Sequence, residues 1–318
     1  PAELFTLLAC DNDPFARWDA GQQLWRRLLL ARASGTPNAD LEGQMLEALT
    51  VLLAPDGEQD PAVLSTLMAF PGGPELEALQ QEADPPALYR AACELREQFG
   101  QSLAPLLRER LNLVEAALVL AWPEGQGQRQ LTGLIWAWLA AAGDSAVRAA
   151  ALAAVGGPSM TLARAALRAL QPLDCPEREQ ALRQFHDRWQ EKPVIFDSWF
   201  ALEASTPRAD GVQRVASLLQ HPRFDPMAPN AVRAVLGGFA GNLLVFHAED
   251  GSGYRFMAEQ IIALDQRNAI TASRLAKVFS RWGTYSSKRQ VLVKAALDQL
   301  SAAQLSSNTR EVVEMMLG

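Results

Sequence analysis

Three histidines, three cysteines and three tyrosines are all that 318 residues contain, and each scarcity excludes something. His186, His221 and His247 stand far apart, none four residues from another. No helix of this chain can therefore present the His-Glu-x-x-His pair that holds the metal of a zinc hydrolase. Cys10, Cys93 and Cys175 are odd in number and lack C-x-x-C spacing. They read as thiols of a reducing, cytoplasmic compartment, not as a disulfide framework or a structural zinc site. With little tyrosine and few β-branched runs, an all-β or doubly wound α/β fold is disfavoured. Positive charge is short as well. Lys+Arg 29 against Asp+Glu 36 leaves a net charge of −7, without the basic footprint that nucleic acid requires. The most apolar run, 131–142 (LTGLIWAWLAAA), falls well short of the roughly 20 residues of a membrane span. No charged-then-apolar leader opens the chain, and its start at Pro1 without Met suggests a piece of a longer protein.

What is abundant is helix former: 53 alanines and 47 leucines, nearly a third of the residues. Asp13-Pro14 offers an N-cap and a preset first turn, after which Phe15, Trp18, Leu24, Trp25, Leu28 and Leu29 keep one apolar face to Ala33. Leu41, Met45, Leu46, Leu49, Leu52 and Leu53 form a second face between Asn38 and Pro55. The same period predicts helices near 60–70, 86–99, 101–121, 130–142, 144–155, 159–171, 176–190 and 194–204, and again near 209–220, 230–240, 253–265, 268–282, 284–299 and 302–317. Stops separate them at Pro71-Gly72-Gly73-Pro74, Gly156-Gly157-Pro158, Thr206-Pro207 and Asp250-Gly251-Ser252-Gly253. About sixteen short helices cannot share one bundle core, so the expected fold is all-α, antiparallel pairs stacked as an α-solenoid or superhelix. No fixed-period tetratricopeptide, ankyrin or HEAT signature is present. The expected domain is continuous over 1–318, with possible sub-lobes 1–190 and 191–318.

Motifs that could carry chemistry read as structure. Gly125-Gln126-Gly127 follows a helical stretch and lacks a third glycine in register, so a surface loop is expected there. Ser252 lacks the leading glycine of a nucleophile elbow and is expected to cap a helix starting at Gly253. His247-Ala248-Glu249-Asp250 reads as solvated loop or cap residues, not a metal cluster. The basic group Arg274, Lys277, Arg281, Lys288 and Arg289 suits either an anion or the solvated face of an amphipathic helix. The eight tryptophans follow the apolar faces and are expected mostly in the core.

Several phrases, in order, resemble bacterial aminopeptidase N, the zinc-dependent alanyl aminopeptidase family. They are Asp13-Pro14-Phe15 with Arg17-Trp18, Asp197-Ser198-Trp199-Phe200, Ala228-Pro229-Asn230 with Arg233, and Gly238-Phe239-Ala240-Gly241. Phe246 to Tyr254 (FHAEDGSGY), Ala272-Ser273-Arg274-Leu275 and Lys288-Arg289-Gln290 complete the set. The stretch 55–175 carries little of it. The resemblance implies that the chain is that family's non-catalytic, C-terminal helical domain, which packs over a catalytic domain, encloses a chamber, gates peptide entry and shapes the prime side of the site. It implies that the zinc, its ligands and the substrate-amine motif belong to the missing catalytic domain, with no metal or cofactor in this chain. Its partners would be the catalytic and β-rich domains of the same parent chain, and short peptide substrates. The resemblance also puts Arg233 and Arg274 on the chamber wall, near a short peptide's carboxyl end, where a guanidinium suits a carboxylate. Ile270, where the family carries Gln, departs from the pattern. The alternative reading of the same composition is a free-standing α-solenoid scaffold that binds protein partners on a concave face.

Overall fold

A computed structural model describes residues 2–115, 118 and 123–318. Helix accounts for 75% of it, well above the roughly one-third base rate. Among the described residues no strand forms, and the one extended pairing is a single bridge between Ala83 and Tyr285. The chain divides into two compact units, Pro1–Ala78 with Ala87–Gln184, and Leu79–Pro86 with Phe185–Gly318.

In the first unit the helix starts lie where short polar side chains stand. The Asp13 carboxylate accepts from the Phe15 amide (3.0 Å) ahead of helix Pro14–Ala33, and Asn38 accepts from Leu41 (3.0 Å) ahead of Ala39–Leu53. Asp144 caps Ser145–Val155 and Ser159 caps Met160–Leu170 in the same way. Each satisfies a donor the helix cannot reach itself. The far end of Ala39–Leu53 is closed by Arg110, 5% exposed, which donates to the carbonyls of Leu52, Leu53 and Ala54. Trp25, Phe70, Phe99 and Trp138 form the aromatic centre, with ring centroids 4.7–6.2 Å apart, and the Trp25 indole donates to the Leu67 carbonyl (3.0 Å).

Glycine sets two close helix contacts. A Cβ on Gly100 would stand 2.3 Å from the Trp138 carbonyl oxygen, and one on Gly133 would stand 2.8 Å from the Ala165 methyl. Gly125-Gln126-Gly127, expected as a loop, instead opens helix Gln126–Ala141, with Gly125 at the cap position. A Cβ on Gly127 would lie 3.1 Å from the Ala62 backbone nitrogen, so a close helix approach, not a surface excursion, accounts for it. The helix expected over 101–121 is Ala104–Glu115; most of the remainder, with Trp122, lies outside the described residues. Ala2–Cys10 and Gly73–Ala78 are helices that the periodicity did not announce.

The second unit is built from Pro193–Ser205, Gly211–Leu218, Ser252–Asp265, Ala269–Ala276, Ser287–Ala302 and Ser307–Leu317, with short turns between. The helix expected over 230–240 is broken: Pro229–Val232 leads into a π-helical turn, Arg233–Gly237, and then Gly238–Ala240. The one expected over 268–282 ends at Ala276 and continues in 3₁₀ turns. Helix Ser252–Asp265 starts one residue before the expected Gly253, and its first amide, that of Ser252, is taken by the Asp250 carboxylate (2.9 Å). Gly251, at φ 69°, makes the left-handed step between them. Asp250, not Ser252, is therefore the capping side chain, and those hydrogen bonds from Ser252 hold its carboxyl below the usual range. Asp265 closes the second unit. Burial raises its carboxyl, but hydrogen bonds from Ser306 (2.6 and 2.7 Å) and Thr309 (2.5 Å) outweigh that and keep it low.

Candidate functional site

Arg233 and Arg274 both belong to the second unit. Arg233 opens the π turn; Arg274 lies near the end of helix Ala269–Ala276. The π turn packs against that helix and against Pro193–Ser205, so the two arginines sit on adjoining elements, and both side chains are exposed. Arg233 donates to the Asn230 side-chain oxygen (3.0 Å), which holds it from one turn below. Asp197, on Pro193–Ser205, is half-buried; burial lifts its carboxyl above the ordinary range and the Arg233 guanidinium pulls it partly back. Among the described residues Arg274 forms no ion pair, and the Asp265 carboxylate, at the end of the preceding helix, is occupied by Ser306 and Thr309. Two guanidinia exposed on packed neighbours can receive an anion. Ile270, 59% exposed, lies one turn before Arg274 and adds an apolar edge.

The other basic residues divide. Arg289 is not a surface cation: it donates to the His247 carbonyl (2.6 Å) and the Tyr254 hydroxyl (3.4 Å), and stands 3.7 Å from the Asp84 carboxylate. Lys288 pairs loosely with Glu249 (3.6 Å) with both ends in water. His247, expected in a solvated loop, is 4% exposed, and its Nδ1 lies 2.6 Å from the Tyr254 hydroxyl. The Tyr254 oxygen accepts from Arg289 while its hydroxyl can donate to Nδ1, an arrangement that places the imidazole proton on Nε2. Burial first, and the Arg289 charge second, press the His247 pKa down to about 3. This Asp84–Arg289–Tyr254–His247 chain was missed in sequence, although two of the matched phrases, FHAEDGSGY and Lys288-Arg289-Gln290, supply three of its four members.

The residues present do not fit zinc. Among the described residues no group of three or more His, Cys, Asp or Glu could hold a metal ion. His186 and His221 bring their Nε2 atoms to 3.4 Å, but His221 Nδ1 accepts from the Arg223 amide (3.1 Å). That leaves the His221 proton on Nε2, pointing at His186, whose own Nδ1 faces Asp187 (2.9 Å). The pair is a hydrogen bond wedged among Phe196, Trp199 and Phe200. All three cysteines are free, and no helix among the described residues is long and apolar enough to cross a membrane.

Capped helices, paired through small-residue contacts and without a strand among the described residues, define an all-helical domain of stacked short helices. A family model described as "Domain of unknown function (DUF3458_C) ARM repeats" matches residues 1–318. The chain belongs to that family. It is similar to aminopeptidase N from Caulobacter vibrioides, 34% identical over all of this chain and 37% of that protein. It is also similar to aminopeptidase N from Escherichia coli, 32% identical over 99% of this chain and 37% of that protein. The crystal structure of Legionella pneumophila aminopeptidase A in complex with aspartic acid shares the fold, with a TM-score of 0.87 and 24% identity over 99% of this chain and 38% of that one. The chain thus resembles the C-terminal domain of aminopeptidase N and spans little more than a third of the length of the curated relatives it matches.

Proposed function

We propose that this chain is the non-catalytic C-terminal domain of a zinc aminopeptidase that removes N-terminal amino acids from peptides. It packs over the catalytic domain, encloses the chamber, gates peptide entry and offers Arg233 and Arg274 to the carboxyl end of a short peptide. The metal in this reading is held by residues outside these 318, in the catalytic domain. The other partners are a β-rich domain of the same parent chain and the peptides themselves, and three free thiols suit a cytoplasmic setting. The observation that carries the anchor role is the exposure of both guanidinia on adjoining elements, Arg274 without an ion pair among the described residues. Similarity running along the entire chain to aminopeptidase N supports a domain over a free-standing scaffold.

The test is Arg274→Ala in the full-length protein, assayed on a tripeptide and on an amino-acid anilide that has no carboxylate. A charge-assisted contact contributes about 1.5–3 kcal/mol, so kcat/KM should fall roughly ten- to hundredfold for the peptide and little for the anilide. Equal losses on both substrates, or a lower melting temperature without selectivity, make Arg274 structural and refute the anchor.

A further inference from the structure

The first unit holds a cavity of about 1070 Å³ that the reading above does not use. Its floor exists because small residues recur at helical spacing. Gly133, Ala137 and Ala141 stand one turn apart on helix Gln126–Ala141, and Ala165 and Ala169 face the same space from Met160–Leu170. The walls are apolar and aromatic: Trp18, Phe70, Leu134 and Leu173.

Charge around this space is asymmetric in what is available. The lining holds the arginines Arg96, Arg129 and Arg168 and the acids Glu75, Glu97 and Asp174. Two of the acids are taken by cations from outside the lining: Glu75 by Arg26 (2.5 Å) and Asp174 by Arg178 (2.9 Å). Glu97 is exposed and accepts from Gln101 (3.3 Å). Arg96 has no ion pair among the described residues; its guanidinium rests over the Phe70 ring, 5.4 Å from the centroid, and hydrogen-bonds the Cys93 thiol, which also lines the cavity, so its plane is fixed while N–H groups remain for a ligand. Arg168 is exposed and has no partner among the described residues. Two guanidinia without an ion pair among the described residues thus stand at one alanine-floored, aromatic-walled cavity, where two of the three acids are already paired.

We propose that this cavity binds a small organic carboxylate with an apolar body, the carboxylate meeting Arg96 and Arg168 and the apolar part lying between Trp18, Phe70 and the alanine floor. The division of labour is that of ligand pockets generally: apolar walls supply burial, and a few convergent polar groups orient the ligand. A planar guanidinium held by stacking is well prepared for a bidentate carboxylate, because little further ordering is needed on binding. The proposal stands apart from the peptide-anchor reading, since it uses no residue of the second unit.

Calorimetric titration of the full-length protein with 3-phenylpropionate tests it, with 3-phenylpropanamide as the uncharged control and N-acetyl-Gly-Phe as a carboxylate borne by a peptide. One saturable site is expected for the acid, with at least about tenfold weaker binding of the amide and of Arg96→Ala and Arg168→Ala. Ala137→Phe, which fills the floor, should abolish binding with the helical circular-dichroism signal unchanged. Because the arginine changes lie at the cavity edge, they keep the test decisive if Ala137→Phe does not fold. Tighter binding of N-acetyl-Gly-Phe than of 3-phenylpropionate would assign the carboxylate to peptide ends; weaker binding would assign it to free acids. No saturable binding, equal affinity for acid and amide, or full affinity in both arginine variants would overturn the proposal.

Discussion

Lowering the pH should destabilise the second unit through one residue, His247. Unfolded, its imidazole titrates near the ordinary histidine value of 6.5; folded, burial holds it to about 3. As pH falls through 6.5 the unfolded chain takes up a proton that the folded chain refuses, so stability drops with pH. The contribution is complete above about pH 6.5 and erodes until the folded imidazole itself protonates near pH 3. One pKa unit corresponds to about 1.4 kcal/mol, so descent from pH 6.5 to 5.0 removes about 2 kcal/mol through this group. That window lies above the bulk of carboxylate titration, which keeps the lowered acids Glu58, Asp144 and Asp265 largely out of the measurement. His247→Gln retains an acceptor for the Tyr254 hydroxyl and cannot titrate. Urea unfolding followed by circular dichroism at pH 7.0 and 5.0 should show the variant losing about 2 kcal/mol less than the parent. Subtracting one pH dependence from the other also cancels His221, whose pKa burial lowers as well. With three histidines in the chain, ¹⁵N-histidine spectra report each ring directly. A His247 resonance that titrates between pH 6 and 7, or identical pH dependence in the two proteins, would refute the reasoning.

Three further substitutions probe the packing. Gly100→Ala should destabilise the first unit by more than about 2 kcal/mol, because its Cβ would meet the Trp138 carbonyl at 2.3 Å, whereas Gly43→Ala, with nothing within 4 Å, should stabilise helix Ala39–Leu53 by about 0.5–1 kcal/mol; a melting temperature raised by the first or lowered by the second would contradict the corresponding expectation. Arg110→Ala leaves the carbonyls of Leu52, Leu53 and Ala54 without their buried donor and should cost about 2–4 kcal/mol in urea unfolding, with a loss below 1 kcal/mol showing that water replaces the guanidinium.

What could be read in advance was local. Asp13, Asn38, Asp144 and Ser159 each act on an amide two or three residues away, so helix starts in the sequence are helix starts in the fold. Misreadings arose where the deciding atom lies far along the chain or in backbone geometry. Gly127 looks like a loop glycine until Ala62 is placed against it. Asp250 and Ser252 are both plausible caps, and only the left-handed step at Gly251 settles between them. Pro71-Gly72-Gly73-Pro74 reads as a stop, yet its second half opens helix Gly73–Ala78, because proline is tolerated in a first turn. His247 offered no signal of burial by itself; its partner Arg289, and the Asp84 that faces Arg289, lie in separate stretches of sequence. Arg233 and Arg274 stood out by resemblance alone, since nothing in periodicity separates an exposed arginine with a task from one without.

The π turn at Arg233–Gly237 decides how the segment around it takes a change of length. An α-helix advances about 100° per residue, so one surplus residue in unbroken α-helix would rotate everything upstream by that angle relative to everything downstream. A wide i→i+5 turn holds the surplus residue within a single turn and cancels that rotation. Asn230 and Arg233 lie on the upstream side, and Phe239, fully buried, on the downstream side. Removing a single residue from the wide turn would return the backbone to α-helix with the buried ring and the asparagine–arginine pair each keeping its direction. The same deletion in an α-helical turn beside it would swing the pair about a quarter-turn around the axis. The stretch between 233 and 237 is thus a reserve of chain length, the place where this segment can lose a residue without re-aiming its arginine.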